Sequence, residues 1–258
     1  MFKVASFNCN SVRARLDIIL NWLESEKPDI LCLQETKVED QHFPTGGFNS
    51  VGYNVIFTGQ KSYNGVAIAS PHDITGITHD ITGFCRPGEA RLIEAQIKGI
   101  NVVNTYMPQG RAPNTEEFAY KINWIKSMRH YFAQHYRPDM MLLWTGDFNV
   151  ALEPIDVYAP DKLLGQVGYH PDEHEALHYV KEWGLEDIFR RHVKEAGQYT
   201  FWDYRVPNGI KRKMGWRIDH IWATQCLASL SRCACVDMGP RLMEKPSDHT
   251  FIVAEFDL

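Results

Sequence analysis

The stretch Trp144–Thr145–Gly146–Asp147–Phe148–Asn149 sets a carboxylate and an amide at the mouth of an apolar run, Met140–Met141–Leu142–Leu143–Trp144. That run is short, with Pro138–Asp139 before it and Gly146 after it, which reads as a buried strand. At a period of two residues Asp147 and Asn149 point to one side, while Phe148 turns back into the packing. A strand that delivers both groups to one small volume can hold a metal ion or activate water. Gly-Asp and Asn are also ordinary turn residues, so this stretch alone leaves a surface turn open.

Four further stretches bear on the choice. Asn8-x-Asn10, Gln34–Glu35–Thr36–Lys37 and Lys245–Pro246–Ser247–Asp248–His249 each gather polar groups at a strand end, and Gly215–Trp216–Arg217–Ile218–Asp219 precedes the last of them. The set is rich in carboxylate, amide and imidazole, with no nucleophilic Ser or Cys beside a base. Such donors suit oxygen-coordinated Mg²⁺ and attack by water on a phosphodiester. Softer zinc chemistry would want more His and Cys. Cys233-x-Cys235 with Cys226 lacks C-x2-C pairing and a fourth ligand. His174–Glu175–Ala176–Leu177–His178 does match H-E-x-x-H on a helical stretch, the pattern of a zinc protease. It lies outside every strand-end group, and a chain with 11 histidines produces such a match by accident.

The elements that must position these groups follow from apolar periodicity. Phe2–Phe7 alternates as a strand, Ser11 is a candidate N-cap, and Val12, Leu16, Ile19, Leu20 and Leu23 recur at helical spacing up to Glu24. Pro28–Asp29 breaks that helix, and Ile30–Leu33 forms a buried strand ending at Gln34–Glu35. Strand, helix, strand brings polar groups to the C-terminal edge of a sheet, where α/β sites lie. Short β runs follow at Asn54–Phe57, Val66–Ser70, Ile74–Asp80, Arg91–Ile97 and Val102–Tyr106, then an amphipathic helix over Phe118–Tyr136. The irregular stretch Leu152–Tyr169 has the length of a functional loop. A helix over Pro171–Trp183 and β segments at Tyr199–Tyr204, Ile218–Ala223, Cys233–Met238 and Phe251–Phe256 complete the chain. β-rich halves that each carry helices imply two sheets packed face to face, with helices outside.

The 258 residues carry 44% hydrophobic and 23% charged side chains, enough for a sizeable core and against disorder. No Pro/Gly-rich linker divides them, so residues 1–258 read as one domain. Met1 leads straight into a strand pattern without a signal peptide, and no apolar stretch reaches the length of a membrane span. Six dispersed cysteines read as buried thiols of a cytoplasmic protein. A net charge of −5 argues weakly against a nucleic-acid partner, but a metal site itself collects carboxylates. Basic residues cluster locally at Arg13 and Arg15, Lys37, Lys61, Arg111 and Lys211–Arg212–Lys213.

In this order and at these separations, the motifs resemble the exonuclease III family of AP endonucleases, within the wider DNase I-like endonuclease/exonuclease/phosphatase fold. Leu33–Gln34–Glu35–Thr36–Lys37 and Ser247–Asp248–His249 are shared widely in that superfamily. Trp216–Arg217–Ile218–Asp219 and Phe201–Trp202–Asp203–Tyr204–Arg205 narrow the likeness to AP endonucleases. It runs from Phe2 to Phe256 and implies a four-layer αββα sandwich of two mixed sheets.

The resemblance also implies roles. Glu35 would be the principal ligand of Mg²⁺, for which Mn²⁺ could substitute, with Asp248 placed to reach the ion. Asn10 stands where some relatives carry a metal-binding Asp, so it brings oxygen without charge, and Ser11 replaces a glycine often found next. Asn8 would hydrogen-bond the acidic groups. Asp147 would take a proton from the attacking water, and Asn149 would donate to the phosphoryl oxygen. His249, oriented by Asp219, would contact the phosphate, and Tyr106 would bond the phosphate or the leaving oxygen. Phe201, Trp216 and Ile218 would form an apolar pocket for a deoxyribose without its base. Arg13, Lys37, Lys61 and Arg111 are candidate phosphate contacts.

The function so implied is incision of duplex DNA 5′ to an abasic site, with 3′→5′ exonuclease or end-trimming activity, by a monomer that needs no membrane. A phosphatase for a soluble or lipid phosphate, and a non-catalytic DNA-binding module, are the alternatives. The carboxylates at Glu35, Asp147, Asp219 and Asp248 speak against the second of these.

Overall fold

The computed structural model describes residues 1–78 and 85–258. Twelve strands lie among them: β1 (Phe2–Asn8), β2 (Ile30–Gln34), β3 (Asn54–Thr58), β4 (Val66–Ser70), β5 (Thr75–Thr78), β6 (Leu92–Ile97), β7 (Ile100–Tyr106), β8 (Leu142–Asp147), β9 (Leu185–Asp187), β10 (Asp219–Thr224), β11 (Ser231–Asp237) and β12 (Phe251–Phe256). Helices α1 (Leu16–Glu26), α2 (Thr45–Ser50), α3 (Glu116–His135), α4 (Pro160–Leu163), α5 (Pro171–Lys181), α6 (Ile188–His192) and α7 (Gln225–Ala228) lie between them. The end of the β run expected over Ile74–Asp80 lies outside the described residues.

The strands form two six-stranded sheets, ordered β11-β12-β1-β2-β4-β3 and β5-β6-β7-β8-β10-β9. Each sheet is mixed. β1 and β2 run parallel in the first, β7 and β8 in the second, and the other neighbours are antiparallel.

Alternation along the strands sorts the side chains into layers. Val4, Ile30, Cys32, Val66 and Ile68 from the first sheet meet Ile93, Val102, Leu143 and Ile221 from the second in a central core. The opposite face of the first sheet, with Ala5, Phe7, Leu31 and Leu33, packs on Ile18, Ile19, Trp22 and Leu23 of α1. The outer face of the second, with Val103, Trp144 and Trp222, packs on Trp124, Ile125 and Met128 of α3 and on Leu177 and Val180 of α5. Helix, sheet, sheet, helix is the αββα sandwich implied by the resemblance.

Three local expectations are corrected. Ser11 does not cap α1. The helix begins at Leu16, because the N–H groups of Cys9, Ser11 and Val12 bond the carbonyls of Gln34, Glu35 and Thr36 and carry the β1–β2 pairing past the strands. Tyr199–Tyr204 is not a strand. Phe201 only bridges Trp216 on one side and His249 on the other. All six cysteines are free, but Cys233 and Cys235 are exposed, since β11 is a sheet edge whose outer face meets solvent.

Behind the second sheet a buried ionic cluster anchors the segment that carries Trp216 and Ile218. Arg217 donates to both oxygens of Asp156 at 2.7 and 2.9 Å and to Asp187 at 2.8 Å, and Arg190 donates to Asp156 at 2.9 Å. Burial alone would raise both carboxyls, but the Arg217 guanidinium holds Asp156 and Asp187 below the ordinary carboxylate range. A carboxyl depressed in the folded state contributes stability that is full above its ordinary value and fades as the pH falls toward the folded one. Asp187→Asn leaves buried guanidinium charge short of a partner and should lower the unfolding free energy near neutrality by ~3–5 kcal/mol. In urea titrations across pH, the gap to the parent should narrow below the ordinary value of 3.8. A gap independent of pH would show that the cluster is not what the substitution disturbs.

Candidate active site

Register puts the acidic groups in a row. Tyr106 at the end of β7 pairs with Asp147 at the end of β8, and Asp147 pairs with Asp219 at the start of β10. In the facing sheet Asn8 ends β1 beside Gln34 at the end of β2, with Glu35 next in the chain. Gly146 makes the close approach of β7 and β8 possible. Its φ is 139°, and a Cβ there would lie 1.9 Å from the Thr105 carbonyl oxygen. Between the sheets, Gln34 Nε2 donates to Asn104 Oδ1 at 2.7 Å, and Asn104 Nδ2 donates to the carbonyls of Leu33 and Ala67 at 3.0 and 2.8 Å. These bonds lock the two strand-end rows together.

Glu35, Asp147 and His249 converge, with ligand atoms within 4.8 Å of one another. Asn8 Nδ2 bridges the carboxylates, donating to Glu35 Oε1 and Asp147 Oδ2 at 2.8 Å each. The other oxygen of Asp147 accepts the Asn149 N–H at 2.8 Å. Asp219 Oδ2 lies 2.8 Å from His249 Nδ1, and His249 Nε2 lies 3.8 Å from Asp147 Oδ2. Asn149 takes a left-handed φ of 53°, and its side-chain amide donates to the Met107 carbonyl at 3.0 Å, which leaves its second amide hydrogen uncommitted.

Asn10 and Asp248 form a pair beside this cluster, Nδ2 to Oδ1 at 3.0 Å. Lys37 Nζ lies 2.7 Å from Glu35 Oε2 and 2.6 Å from Asn10 Oδ1. Lys37, a candidate phosphate contact, therefore stands on the acidic site itself, with one of its three N–H groups left over. Arg13, Lys61 and Arg111 are exposed, and none of them lines the cavity described next.

That cavity, of about 750 Å³, opens over the cluster. Glu35, Tyr106, Asp147, Asn149, Asp248 and His249 line it together with Phe201, Trp216 and Ile218. The apolar side rests on a small core of its own, with Ala151, Val157, Leu163 and Tyr169 beneath Ile218, Phe201 and Trp216. Phe201 also packs on the His249 ring at 4.9 Å between centroids. The irregular stretch noted over Leu152–Tyr169 supplies Tyr158, Leu163, Gln166, Val167 and Gly168 to the rim. Sequence reasoning passed over Gln109, Gln166 and Met214, which also line it and belong to no motif.

Burial sets the protonation of these groups. It would lower His249, but the carboxylates of Asp219 and Asp147 outweigh it and bring the imidazole up to about 10. Burial pushes Asp147 up to about 7; His249 opposes the rise, while Asp219 and Glu35 add to it. Tyr106 is likewise raised by burial and by the charges of Glu35 and Asp147, so its phenol keeps its proton.

The donor set fits a hard divalent cation. Carboxylate and amide oxygens dominate it, and several acids share one buried volume with too few positive partners. One buried oxygen, Asp219 Oδ1, has no hydrogen-bond partner. A single ammonium already touches both Glu35 and Asn10, so one cation can reach both oxygens. The H-E-x-x-H match offers nothing comparable. His174 is engaged with the Ala151 carbonyl at 3.0 Å, His178 is exposed, and Glu175 points to solvent toward Lys126.

A two-sheet sandwich with acids, amide and imidazole gathered at one edge is the architecture of a phosphoester hydrolase. Residues 5–249 match the Endonuclease/Exonuclease/phosphatase family. The exodeoxyribonuclease III of Haemophilus influenzae is 32% identical, covering 98% of this chain and 99% of its own. An AP endonuclease structure from Archaeoglobus fulgidus superimposes with a TM-score of 0.96 at 45% identity over 100% of both chains. A 3′-5′ exonuclease from Neisseria meningitidis does so with a TM-score of 0.94 at 32% identity, again over 100% of both. The chain belongs to the endonuclease/exonuclease/phosphatase family and stands with its exodeoxyribonuclease III members.

Asp219→Asn tests the electrostatics directly. Without that carboxylate the His249 imidazole should titrate back toward the ordinary range near 6.5, as followed by NMR of the ring protons. A ring that stays charged to about pH 10 in the variant would assign the shift to other groups.

Proposed function

We propose that this protein is a DNA-repair AP endonuclease that hydrolyses the phosphodiester 5′ to an abasic site in duplex DNA. Incision leaves a 3′-hydroxyl and a 5′-deoxyribose phosphate, and the same centre trims 3′ ends in the 3′→5′ direction. The observation that carries the reading is the juxtaposition of the Asn8–Glu35–Asp147–Asp219–His249 cluster with the Phe201/Trp216/Ile218 wall at one cavity.

Glu35 would hold Mg²⁺ (Mn²⁺ as a substitute), with Asn10 and Asp248 at its side. The bound ion supplies positive charge for the phosphoryl oxygens as negative charge develops on them. The chain's own groups do the rest. Asp147, pinned through both oxygens by Asn8 and Asn149, accepts the proton of the attacking water. His249, kept charged by Asp219, faces the phosphate with Nε2 and remains a donor, so it does not compete as a metal ligand. The spare amide hydrogen of Asn149 donates to a non-bridging oxygen. Tyr106, with its proton retained, donates to the departing 3′ oxygen.

The wall of Phe201, Trp216 and Ile218 accepts a sugar rotated out of the helix, a move that costs least where the base is already lost. Duplex DNA is met by the rim and not by the net charge. The loop between the cavity-lining Val206 and Met214 exposes Lys211, Arg212 and Lys213.

The experiment is incision of a defined abasic duplex. Chelation of divalent ions should abolish cutting and Mg²⁺ should restore it. Asp147→Ala should keep DNA affinity while losing cutting by about 10³-fold or more. Efficient phosphate release from a small monoester without incision would favour a phosphatase instead. An Asp147→Ala variant that cuts normally would overturn these roles.

A further inference from the structure

The loop after β8 that carries Asn149 is held from behind by two charges that belong to none of the signature motifs. Lys121 on α3 and Glu173 on α5 are fully buried, with Nζ 2.5 Å from Oε1. The same ammonium donates to the Asn149 carbonyl at 2.8 Å and to the Gln109 carbonyl at 3.2 Å. Glu173 accepts the Gly168 N–H with both oxygens, at 3.1 and 2.9 Å, and the His170 N–H at 3.0 Å. Gln109, Asn149 and Gly168 all line the cavity.

The two loops gripped in this way are also tied to each other. The Ala151 N–H donates to the Gly168 carbonyl at 2.7 Å, and His174 on α5 meets the Ala151 carbonyl at 3.0 Å. Gly168 sits directly behind the Trp216 indole. Its φ is 88°, and a Cβ there would lie 3.4 Å from the Trp216 ring and 3.4 Å from the Asn149 oxygen. A shift of this carboxylate or ammonium is therefore passed to the backbone of Asn149 and to the seat of Trp216. It also gives the first histidine of the H-E-x-x-H match a use, as part of the N-terminal turn of α5 that clamps the loop after β8.

A buried ion pair returns little net stability compared with apolar packing, and α3 and α5 already share an apolar cluster of Trp124, Ile125, Met128, Leu177 and Val180. What it offers at this place is direction. Backbone groups that must point one way are held by partners that lose heavily if they move.

We propose that Lys121 and Glu173 form a positioning pair for phosphodiester hydrolysis, fixing Asn149 and the Trp216 wall against Asp147 and His249. The inference rests on the roles given above to Asn149 and Trp216. Two folded variants test it: Glu173→Asp, which keeps the charge but is one methylene short, and Lys121→Met/Glu173→Gln, which removes both charges so that neither is left alone.

With Mg²⁺ and an abasic duplex, kcat should fall about 10- to 100-fold while KM moves less than about 3-fold. Introduced into Asn149→Ala, Glu173→Asp should cost far less than it does in the parent, because its route through Asn149 is already gone. A purely structural pair would lower the urea midpoint and leave kcat per folded molecule, and that coupling, unchanged. If Asn149→Ala is impaired while the two variants keep kcat within about 2-fold, the positioning proposal is overturned and the functional reading stands. If the parent fails to incise, or Asn149→Ala cuts like the parent, the functional reading itself falls.

Discussion

Burying Asp147 beside Asp219 and Glu35 is the unfavourable act that organises the site. Like charges in a poorly solvated volume repel, and desolvation alone pushes Asp147 upward. Each neighbour offsets part of that cost in a different way. Asn8 supplies neutral donors to two of the acids, His249 brings a positive charge held by the third, and Lys37 sits on Glu35. The balance is left negative, which suits a cation, and it brings Asp147 up to about 7. Stability has been given up locally for reactivity, and the rest of the sandwich must carry the loss.

How it does so is a matter of register. The parallel pairs β1–β2 and β7–β8 end at the same edge, and β10 starts there antiparallel to β8, so three neighbouring strands present Tyr106, Asp147 and Asp219 in line. A slip of one residue would turn every one of these groups to the opposite face. The apolar alternation that sorts Val102, Leu143 and Ile221 into the central core therefore also fixes this row. Packing and chemistry are set by the same constraint.

This explains what was legible in the sequence. Short apolar runs with polar ends marked β1, β2, β8 and β12, and with them Asn8, Glu35, Asp147 and His249, because burial and period leave their mark locally. Tyr106, at the end of β7, was named only by the family resemblance. The start of α1 was hidden. Asn10 and Ser11 adopt left-handed φ values of 45° and 91° to run beside residues 34–36, a pairing that no local pattern announces. The segment around Phe201 reads as a strand by composition, yet its partners, Trp216 and His249, lie on two different stretches, so it bridges both without joining a sheet. Lys121 and Glu173 were invisible for a related reason. Two charges far apart in the chain look solvated until the fold shows them fully buried against one another.

Net charge misleads for the same reason that local pattern informs. A total of −5 counts the acids of the cluster, with Asp147 and Asp219 buried and Glu35 and Asp248 turned into the cavity, whereas Asp156 and Asp187 are cancelled by Arg190 and Arg217. Within about a Debye length of the rim, a polyanion would meet the exposed Lys211–Arg212–Lys213, while Asp147 and Asp219 lie deeper, beside Asn8 and His249. The acid needed for catalysis and the attraction needed for DNA can then coexist in one domain, because depth separates what a sum over the sequence cancels.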